Sequence, residues 1–396
     1  MTLMQDSAHG DGASLDEQTL ALGRRLVDEV LAPMKSVFIG KDEIIDLMGV
    51  ALVAGENLFL LGPPGTAKSA LVNELGRRLQ GTTFEYLLTR FTEPNELFGP
   101  FDIRRLREGD LVTNTEGMLP EASLVFLDEL LNANSAILNS LLMVLNERVF
   151  RRGRETRKLP VITVFGASNR LPEDDALAAL FDRFLLRVTC ENVPSDRLGD
   201  VLRAGWALDR RENHDTTTLE IEDVRRLHER LGIIDLAEIR VPLGELIVRL
   251  RQAGIAVSDR RAVKFQRLLA ASALLCGRRT AIVSDLWVLR HIWDSLEQRE
   301  VIASLVADAL KAAAPDPKDH PRSRQAEAPD AESLARDLEA IERQMADAST
   351  AAAERSVLLD RLGHLAGRVQ WVTDAQQRSF LSDRIEMLLA QNAKKP

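Results

Sequence analysis

Cysteine, histidine and long apolar runs are all scarce in this chain of 396 residues. Its two cysteines, Cys190 and Cys276, and its six scattered histidines have no metal-ligand spacing, so neither a zinc site nor a disulfide framework is expected. We predict that both cysteines are reduced and buried. No apolar run reaches the roughly 18 residues of a membrane span, and the polar N-terminus lacks an apolar signal core. These absences predict a cytoplasmic protein with no membrane span.

The charge balance also limits the possible functions. The formal net charge of −9 argues against a protein whose whole surface binds nucleic acid, although it leaves room for a local basic patch. Hydrophobic residues make up 45% of the chain and charged residues 28%, which is ordinary for a folded protein of two or three domains.

The stretch NLFLLGPPGTAKS, residues 57–69, has the order of a phosphate-binding loop. An apolar strand runs into a Gly/Pro turn that ends in Lys68-Ser69, and a helical pattern follows. In such a loop, backbone N–H groups face the phosphates, Lys68 reaches the β- and γ-phosphates, and the Ser69 hydroxyl holds Mg2+. The alternative is a strand-to-helix turn with a chance Lys-Ser pair. The candidate nucleotide-binding residues are Gly62, Pro63, Pro64, Gly65, Thr66, Ala67, Lys68, Ser69 and Ala70.

Ala67 stands where the second glycine of the usual loop pattern lies. An alanine costs little there if the backbone is right-handed, and it becomes a problem only if the position needs a positive φ.

A further contact with the nucleotide is indicated upstream of the loop. The segment VFIG, residues 37–40, interrupts two helical patterns, so Ile39 and Gly40 are well placed to contact an adenine base. A simple packing turn between helices explains the same residues equally well.

The run LVFLDE, residues 124–129, is typical of a buried parallel strand that ends in two carboxylates. Beside a phosphate loop, Asp128 would bind Mg2+ through water and Glu129 would activate the attacking water. Taken alone, the pair could equally be a helix N-cap.

Two further strands end or begin at candidate site residues. The strand predicted at 161–166 is followed by Asn169, which could hold the attacking water or sense the γ-phosphate, although a lone Asn is more often a turn former. Arg183 precedes the last predicted strand, 185–188, and is a candidate for a finger that reaches the ATP of a neighbouring subunit.

A later candidate pair opens a helix. Ser258 and Asp259 can cap the helix that Arg260 and Arg261 begin, and cations are unfavourable at that end of the helix dipole. One of the two arginines is therefore expected to meet an anion such as a phosphate, unless the segment is only a solvated basic turn.

The chain divides by composition into five segments. A disordered tail is expected at 1–13, an α/β nucleotide-binding core at 14–193, an all-α domain at 194–310, a Pro-rich linker at 311–330 and a helical segment at 331–396. Within the core, 98–120 predicts an exposed insertion, and the Arg-rich arms around Gly153 predict a β-hairpin. The last segment repeats leucines at alternating steps of four and three, as packed helices or a docking module would.

Together, GPPGTAKS, LVFLDE, ASN, FDR and SDRR resemble the AAA+ ATPases, and more closely the RavA-like branch of the MoxR family. The resemblance covers about residues 20–310 and includes the phrases YLLTRFTEPNELFGP, GMLPEASLVFLDEL, ILNSLLMVLNER and LFDRFLLRV. Ala67 looks normal for that family. The resemblance implies Walker A residues Gly62, Gly65, Lys68 and Ser69, Walker B residues Asp128 and Glu129, sensor 1 at Asn169, an arginine finger at Arg183, and sensor 2 at Arg260 rather than Arg261.

The resemblance also implies a fold and an assembly. We expect an AAA+ P-loop core with a parallel five-stranded sheet, an all-α lid and a C-terminal helical hairpin or bundle. Family members form ring hexamers that use ATP and Mg2+ and commonly work with a partner that carries a von Willebrand A domain. Segments 98–120 and 147–160 correspond to the helix-2 insertion and pre-sensor-1 hairpin, which line or cap the pore. RavA carries a further compact C-terminal domain for which this chain has no room.

Three functions fit these features. The first is an ATP-driven chaperone that remodels a protein client. The second is a motor or loader on nucleic acid, which the basic hairpin keeps open and the net acidity opposes. The third is an ATP-controlled scaffold that recruits a partner through its C-terminal helices.

Overall fold

The computed structural model describes residues 8–107, 112–152, 155–210, 219–314, 316–323, 331–346, 352–369 and 375–392. They form two compact units, Met1–Arg324 and Gln325–Pro396, each described separately. The strands are β1 Leu58–Leu61, β2 Thr83–Leu87, β3 Leu124–Asp128, β4 Val149–Arg152, β5 Glu155–Lys158, β6 Thr163–Ser168 and β7 Leu186–Thr189. Among the described residues, no helix is both long enough and apolar enough to cross a membrane.

The helices of the first unit frame the strands. They are α1 Ala8–Arg25, which continues as a π-helical stretch Leu26–Leu31, then α2 Ala32–Val37, α3 Asp42–Ala54, α4 Lys68–Arg78, α5 Pro94–Phe98, α6 Ile103–Arg107, α7 Ser135–Glu147, α8 Asp175–Phe181, α9 Leu198–Asp209, α10 Ile221–Glu229, α11 Ala237–Gln252, α12 Asp259–Leu275 and α13 Leu296–Lys311. Short 3-10 turns lie at Leu119–Glu121, Leu130–Asn132, Ser195–Arg197, Leu231–Ile233, Val283–His291 and Pro321–Ser323.

Five strands build one parallel sheet in the order β2-β3-β6-β1-β7. Strands β1, β3 and β6 are almost entirely buried, as continuous apolar runs in a helix-covered parallel sheet should be. The expected five-stranded parallel core is therefore confirmed. All carboxyl ends of the strands meet at one side, called here the carboxyl edge, and all amino ends meet at the other, called the amino edge.

The first helix corrects a boundary. It begins at Ala8, inside the segment 1–13 that was expected to be a disordered tail. Once a helix has nucleated, each added residue costs little, so a polar Gly-containing segment can extend it. Residues 1–7 of the expected tail lie outside the described residues.

The predicted hairpin is confirmed as β4 and β5, which pair antiparallel. Two of its arginines are used within the fold: Arg152 donates to the Gly99 carbonyl at 2.7 Å, and its guanidinium lies 3.9 Å above the Phe101 ring. Arg157 donates to the Thr115 hydroxyl at 3.0 Å. The hairpin and the insertion at 98–120 are thus held together by arginines that the sequence alone would assign to solvent.

An ion triad with two buried arginines joins the sheet to the helical domain. Arg187 on β7 is fully buried and bonds Asp294 at 2.9 Å, and Arg261 on α12 bonds the other oxygen of Asp294 at 2.9 Å. Burial lowers the pKa of Arg187 to about 10, against the raising effect of Asp294. Removing Asp294 would leave two guanidinium groups unpaired, which makes the triad a strong tie between the two parts of this unit.

The Pro-rich segment is not a free linker up to residue 323. His320 stacks on the buried Trp287 with ring centroids 4.5 Å apart, and Arg322 bonds Asp46 of α3 at 2.8 Å. Arg290 donates to the backbone carbonyl of Arg322 at 3.0 Å. Residues 316–323, called here the strap, are therefore docked within the first unit, because a stacked ring, an ion pair and a backbone hydrogen bond anchor them. Residues 324–330 of the expected linker lie outside the described residues.

The strap gives a prediction about acid stability. Burial, followed by the nearby cations Arg278, Lys35 and Arg322, lowers the pKa of His320 to about 3, well below its unfolded value near 6.5. The stabilisation from neutral His320 is thus complete above about pH 6.5 and is lost as the pH falls towards 3. We expect His320→Phe, which keeps the ring on Trp287 but cannot titrate, to lose less unfolding free energy than the native chain between pH 7 and 5.

Urea denaturation at pH 8, 7, 6 and 5 checks this prediction. The substitution removes the bond from the Arg322 N–H to the ring of His320, which costs about 1 kcal/mol at every pH. The two proteins are therefore compared by how their unfolding free energy changes with pH, not by its absolute value. His228, whose pKa is also lowered by burial, is present in both proteins and cancels. If the unfolding free energies of the two proteins change equally with pH, His320 is not buried as described.

The second unit is a three-helix bundle. It consists of α14 Ala331–Ala346, α15 Ala352–Val369 and α16 Ala375–Asn392, and Arg384 of α16 bonds Glu342 of α14 at 2.8 Å. The predicted helical segment is confirmed as a bundle. Its buried core contains Leu334, Leu338, Ile341, Met345, Leu358, Leu362, Leu365, Val369, Leu381 and Ile385, the leucine-rich stripes of the sequence.

Candidate nucleotide-binding site

The loop at residues 62–67 lies between β1 and α4, held by both neighbouring strands. The Gly62 N–H donates to the Ser168 carbonyl of β6 at 3.0 Å, and the Cys190 thiol after β7 donates to the Thr66 carbonyl at 3.2 Å. A Cβ atom on Gly62 would lie 2.1 Å from the Cys190 carbonyl oxygen, so only glycine fits there. The sheet therefore fixes where the loop begins and which way it turns.

Lys68 begins α4 and folds over the loop. Its buried ammonium donates to the carbonyls of Gly62 at 2.9 Å and Pro63 at 2.8 Å. Those bonds place the cation within the loop, where a phosphate can replace the carbonyls as partner. Ser69 follows in the first turn of the helix, where unpaired N–H groups and the helix dipole attract anions. This geometry is that of a phosphate cradle.

Ala67 has φ 68° and ψ 23°, which is left-handed backbone. The position therefore needs the positive φ that the sequence could not reveal. An L-residue held there costs on the order of 1–2 kcal/mol. Such strain persists where neighbouring structure enforces it, and it is found preferentially at functional sites. Here the enforcing neighbours are β1, α4 and the Thr66 carbonyl bonded by Cys190.

The two acidic residues lie at the end of β3. Asp128 closes the strand and accepts the Glu129 N–H at 2.9 Å, while Glu129 itself has left-handed backbone with φ 49°. Neither side chain caps α7, because Asn134 does so by accepting the Ala136 and Ile137 N–H groups. Glu129 stands at the N-cap position of the turn Leu130–Asn132, but its side chain makes no capping bond there, so capping does not account for its carboxylate.

Sequence reasoning missed two residues that hold Glu129. Asn132 donates from Nδ2 to Glu129 Oε2 at 3.4 Å, and its Oδ1 accepts from Arg170 at 3.2 Å. Arginine can only donate, which fixes the orientation of the Asn132 amide. The order of strands in the sheet would have indicated Arg170, because Arg170 follows β6 and β6 is the neighbour of β3.

Asn169 is the exposed residue directly after β6. Strand β6 is longer at this end than predicted and includes Ser168, which is in register with Leu61 of β1. Because β6 lies between β1 and β3, Asn169 comes out of the sheet between the phosphate loop and the acidic pair. The carboxyl edge thus brings together Lys68, Ser69, Asp128, Glu129 and Asn169.

The oxygen ligands at this edge fit a magnesium ion. Ser69 offers a hydroxyl and Asp128 a carboxylate, which are ligand types that Mg2+ uses together with substrate phosphates and water. The loop around Lys68 would supply the place for those phosphates.

Ile39 and Gly40 form the turn between α2 and α3. Gly40 has φ 73°, and a Cβ there would lie 3.4 Å from Val193, while Lys41 donates to the Glu191 carbonyl. The turn is therefore attached to the chain just beyond Cys190, on the same side of the sheet as the phosphate loop. Contact of Ile39 and Gly40 with a base stays a prediction.

Arg183 lies at the opposite edge of the sheet. It precedes β7, and its backbone carbonyl accepts a bond of 2.9 Å from Asn57, which precedes β1. Strand β1 alone separates the two edges by about 10 Å, because the three steps between its first and last residues rise about 3.3 Å each. Arg183 therefore cannot complete the phosphate site of its own subunit. Its buried Nε has no partner among the described residues.

The structure separates Arg260 from Arg261. Arg261 is buried in the ion triad, whereas Arg260 is exposed and lies 3.5 Å from the side chain of Asn146. Asn146 belongs to the last turn of α7, next to the amino edge, where Lys264 of α12 also bonds Glu56. Among the described residues Arg260 has no carboxylate partner, and it lies on the side of Arg183 rather than beside its own phosphate loop.

Comparison with known proteins gives a consistent result. A model of the MoxR domain in MoxR-vWA-beta-propeller ternary systems matches residues 24–229, and a AAA lid domain model matches residues 233–306. An uncharacterized protein of Methanocaldococcus jannaschii is 37% identical over 285 residues, which is 71% of this chain and 74% of that one. The chaperone MoxR1 of Mycobacterium tuberculosis is 26% identical over 173 residues, 43% of this chain and 45% of that one.

A solved structure shares the fold. The crystal structure of a proposed ATPase from Cytophaga hutchinsonii superposes with a TM-score of 0.61 at 18% identity, covering 75% of this chain and 97% of that one. At this identity the likeness concerns the fold alone.

Proposed function

Because the chain belongs to the MoxR family of AAA+ ATPases, we propose that it hydrolyses ATP at the interfaces of a ring of identical subunits and remodels a protein partner. The observation that carries this proposal is the division of the site between two edges of one sheet. Lys68, Ser69 and Glu129 lie at the carboxyl edge, and Arg183 and Arg260 lie at the amino edge. Head-to-tail packing of subunits joins the two halves.

Each residue has a role in that joint site. Lys68 and the loop N–H groups hold the phosphates, and Ser69 and Asp128 would hold Mg2+, which neutralises charge on the phosphates when bound. Glu129 takes a proton from the attacking water, and Asn169 holds that water in line. Arg183 and Arg260 of the next subunit stabilise charge on the transferred phosphoryl group. Membership of the RavA-like branch and a hexameric ring are part of this proposal.

The expected partner is a protein with a von Willebrand A domain, as the name of the matching domain model suggests. The test is capture by a Glu129→Gln variant loaded with ATP, with the captured proteins identified by mass spectrometry. Lys68→Ala, which cannot hold the phosphates, is the control. We expect a von Willebrand A protein with the first variant only. Its recovery at equal yield with Lys68→Ala would show that the capture does not depend on the nucleotide.

The structure weakens the nucleic-acid alternative. Of the basic hairpin residues proposed to grip a backbone, Arg152 and Arg157 are engaged with the insertion. Arg151 and Lys158 of the hairpin and the cations of the insertion helix α6 remain exposed, but the net charge of −9 opposes a motor that follows an anionic strand.

A further inference from the structure

Helix α9 carries an apolar stripe that no described residue covers. Leu198, Leu202 and Trp206 are 52%, 66% and 67% exposed, and each lies one helical turn after the last. Single exposed apolar residues are ordinary, but three in a row on one helix face form a continuous patch of the kind that partners cover. These three residues are called here the α9 stripe.

The α9 stripe lies on the nucleotide side of the molecule. Helix α9 directly follows the turn Ser195–Arg197, and Val193 and Arg197 lie 3.4 Å and 3.9 Å from the Cβ position of Gly40. The helix also packs on α2, which leads into the Ile39-Gly40 turn. The stripe therefore flanks the half-site that holds Lys68.

Exposed valines on α11 and α12 lie on the side of the other half-site. Val263 is more than half exposed and lies three residues after Arg260, on the same face of α12. Val241 and Val248 of α11 are also more than half exposed and lie two turns apart. The ion pair of Arg251 with Asp259 brings the end of α11 to the start of α12. Val241, Val248 and Val263 are called here the lid patch.

We infer that the α9 stripe docks on the lid patch of the neighbouring subunit. The inference rests on the proposed function, since a joint site requires the nucleotide side of one subunit to face the amino edge of the next. A head-to-tail interface needs two different surfaces that fit each other, and exposed apolar side chains stand on the side of each half-site. A neighbour that delivers Arg260 necessarily brings Val263, which lies one turn away on the same face.

Engineered disulfides test the pairing. The double variant Leu202→Cys, Val263→Cys should form a ladder of linked subunits on a non-reducing gel in the presence of ATP and Mg2+, because every subunit carries both halves. An equal mixture of the two single variants should stop at dimers. Native thiols add little background, since Cys190 is buried and burial raises the pKa of Cys276 to about 11. Dimers formed by Leu202→Cys alone would show that two α9 stripes face each other and would overturn the inference.

A charge substitution gives an independent measurement. Trp206→Asp should raise the protein concentration needed for half-maximal ATPase activity at least tenfold, the loss expected for a central tryptophan of an interface. Phe380→Asp, at a similarly exposed aromatic of the second unit, is the matched control and should change nothing. If Trp206→Asp assembles and turns over like the native chain, the α9 stripe has another occupant. That result leaves the joint site standing, because the joint site is tested separately by mixing Lys68→Ala and Arg183→Ala subunits.

Discussion

Replacing Glu129 with Gln is expected to slow ATP hydrolysis at least a hundredfold while ATP binding changes by less than about threefold. Glutamine has nearly the same shape and can still accept the Asn132 N–H, but it cannot take a proton from water. The backbone at Glu129 is left-handed, so the side chain leaves the strand at an angle that the turn enforces. The substitution therefore removes the base without moving its position. Phosphate release and binding of a fluorescent ATP analogue measure the two quantities separately.

Glu173→Gln is the matched control for that measurement. Glu173 lies four residues beyond Asn169, is largely exposed and bonds Arg170, so the change removes a carboxylate near the site without touching the proposed base. Hydrolysis by this variant should stay within about twofold, because exposed ion pairs contribute little. Normal hydrolysis by Glu129→Gln would mean that another group activates the water, and the role given to Glu129 would be wrong.

Sequence reasoning correctly predicted the features that depend on which residues follow each parallel strand. Parallel strands end at one edge of a sheet, so three strands followed by a phosphate loop, by Asp128-Glu129 and by Asn169 had to converge. The buried core strands and the hairpin also followed from local pattern. None of this needed knowledge of how helices pack at a distance.

Long-range packing decided what the sequence could not show. The φ of Ala67 depends on strands β1, β6 and β7 around the loop. The residue type at position 67 does not by itself reveal that backbone constraint. The proline content of residues 311–330 predicted a free linker. In the structure, His320 stacks on Trp287 and holds the strap in place. The adjacent arginines Arg260 and Arg261 look equivalent in the chain, but Arg261 is ion-paired with Asp294, whereas Arg260 is exposed and bonds only the Asn146 amide among the described residues.

Arg183→Ala is expected to reduce ATP hydrolysis at least a hundredfold and to leave ATP binding intact, since an arginine finger acts on the transition state. The side chain is at the amino edge, where its visible ion pair is with the adjacent Asp182 at 3.3 Å. Asp182→Asn breaks that pair and is the control that should remain active. Loss of ATP binding in Arg183→Ala would place the residue in its own subunit's site or in the fold.

Mixing two inactive variants distinguishes a neighbour's arginine from an internal one. Lys68→Ala lacks the phosphate half and Arg183→Ala lacks the finger half, so each pure ring has no complete site. In a ring assembled from equal amounts of both, an interface is complete when Lys68 comes from one subunit and Arg183 from the next, which random assembly achieves in about a quarter of the interfaces. Recovery of about a quarter of native turnover is therefore expected on mixing. No recovery from rings shown by sedimentation to contain both variants would mean that one subunit must supply both residues, which the two edges of this sheet do not allow.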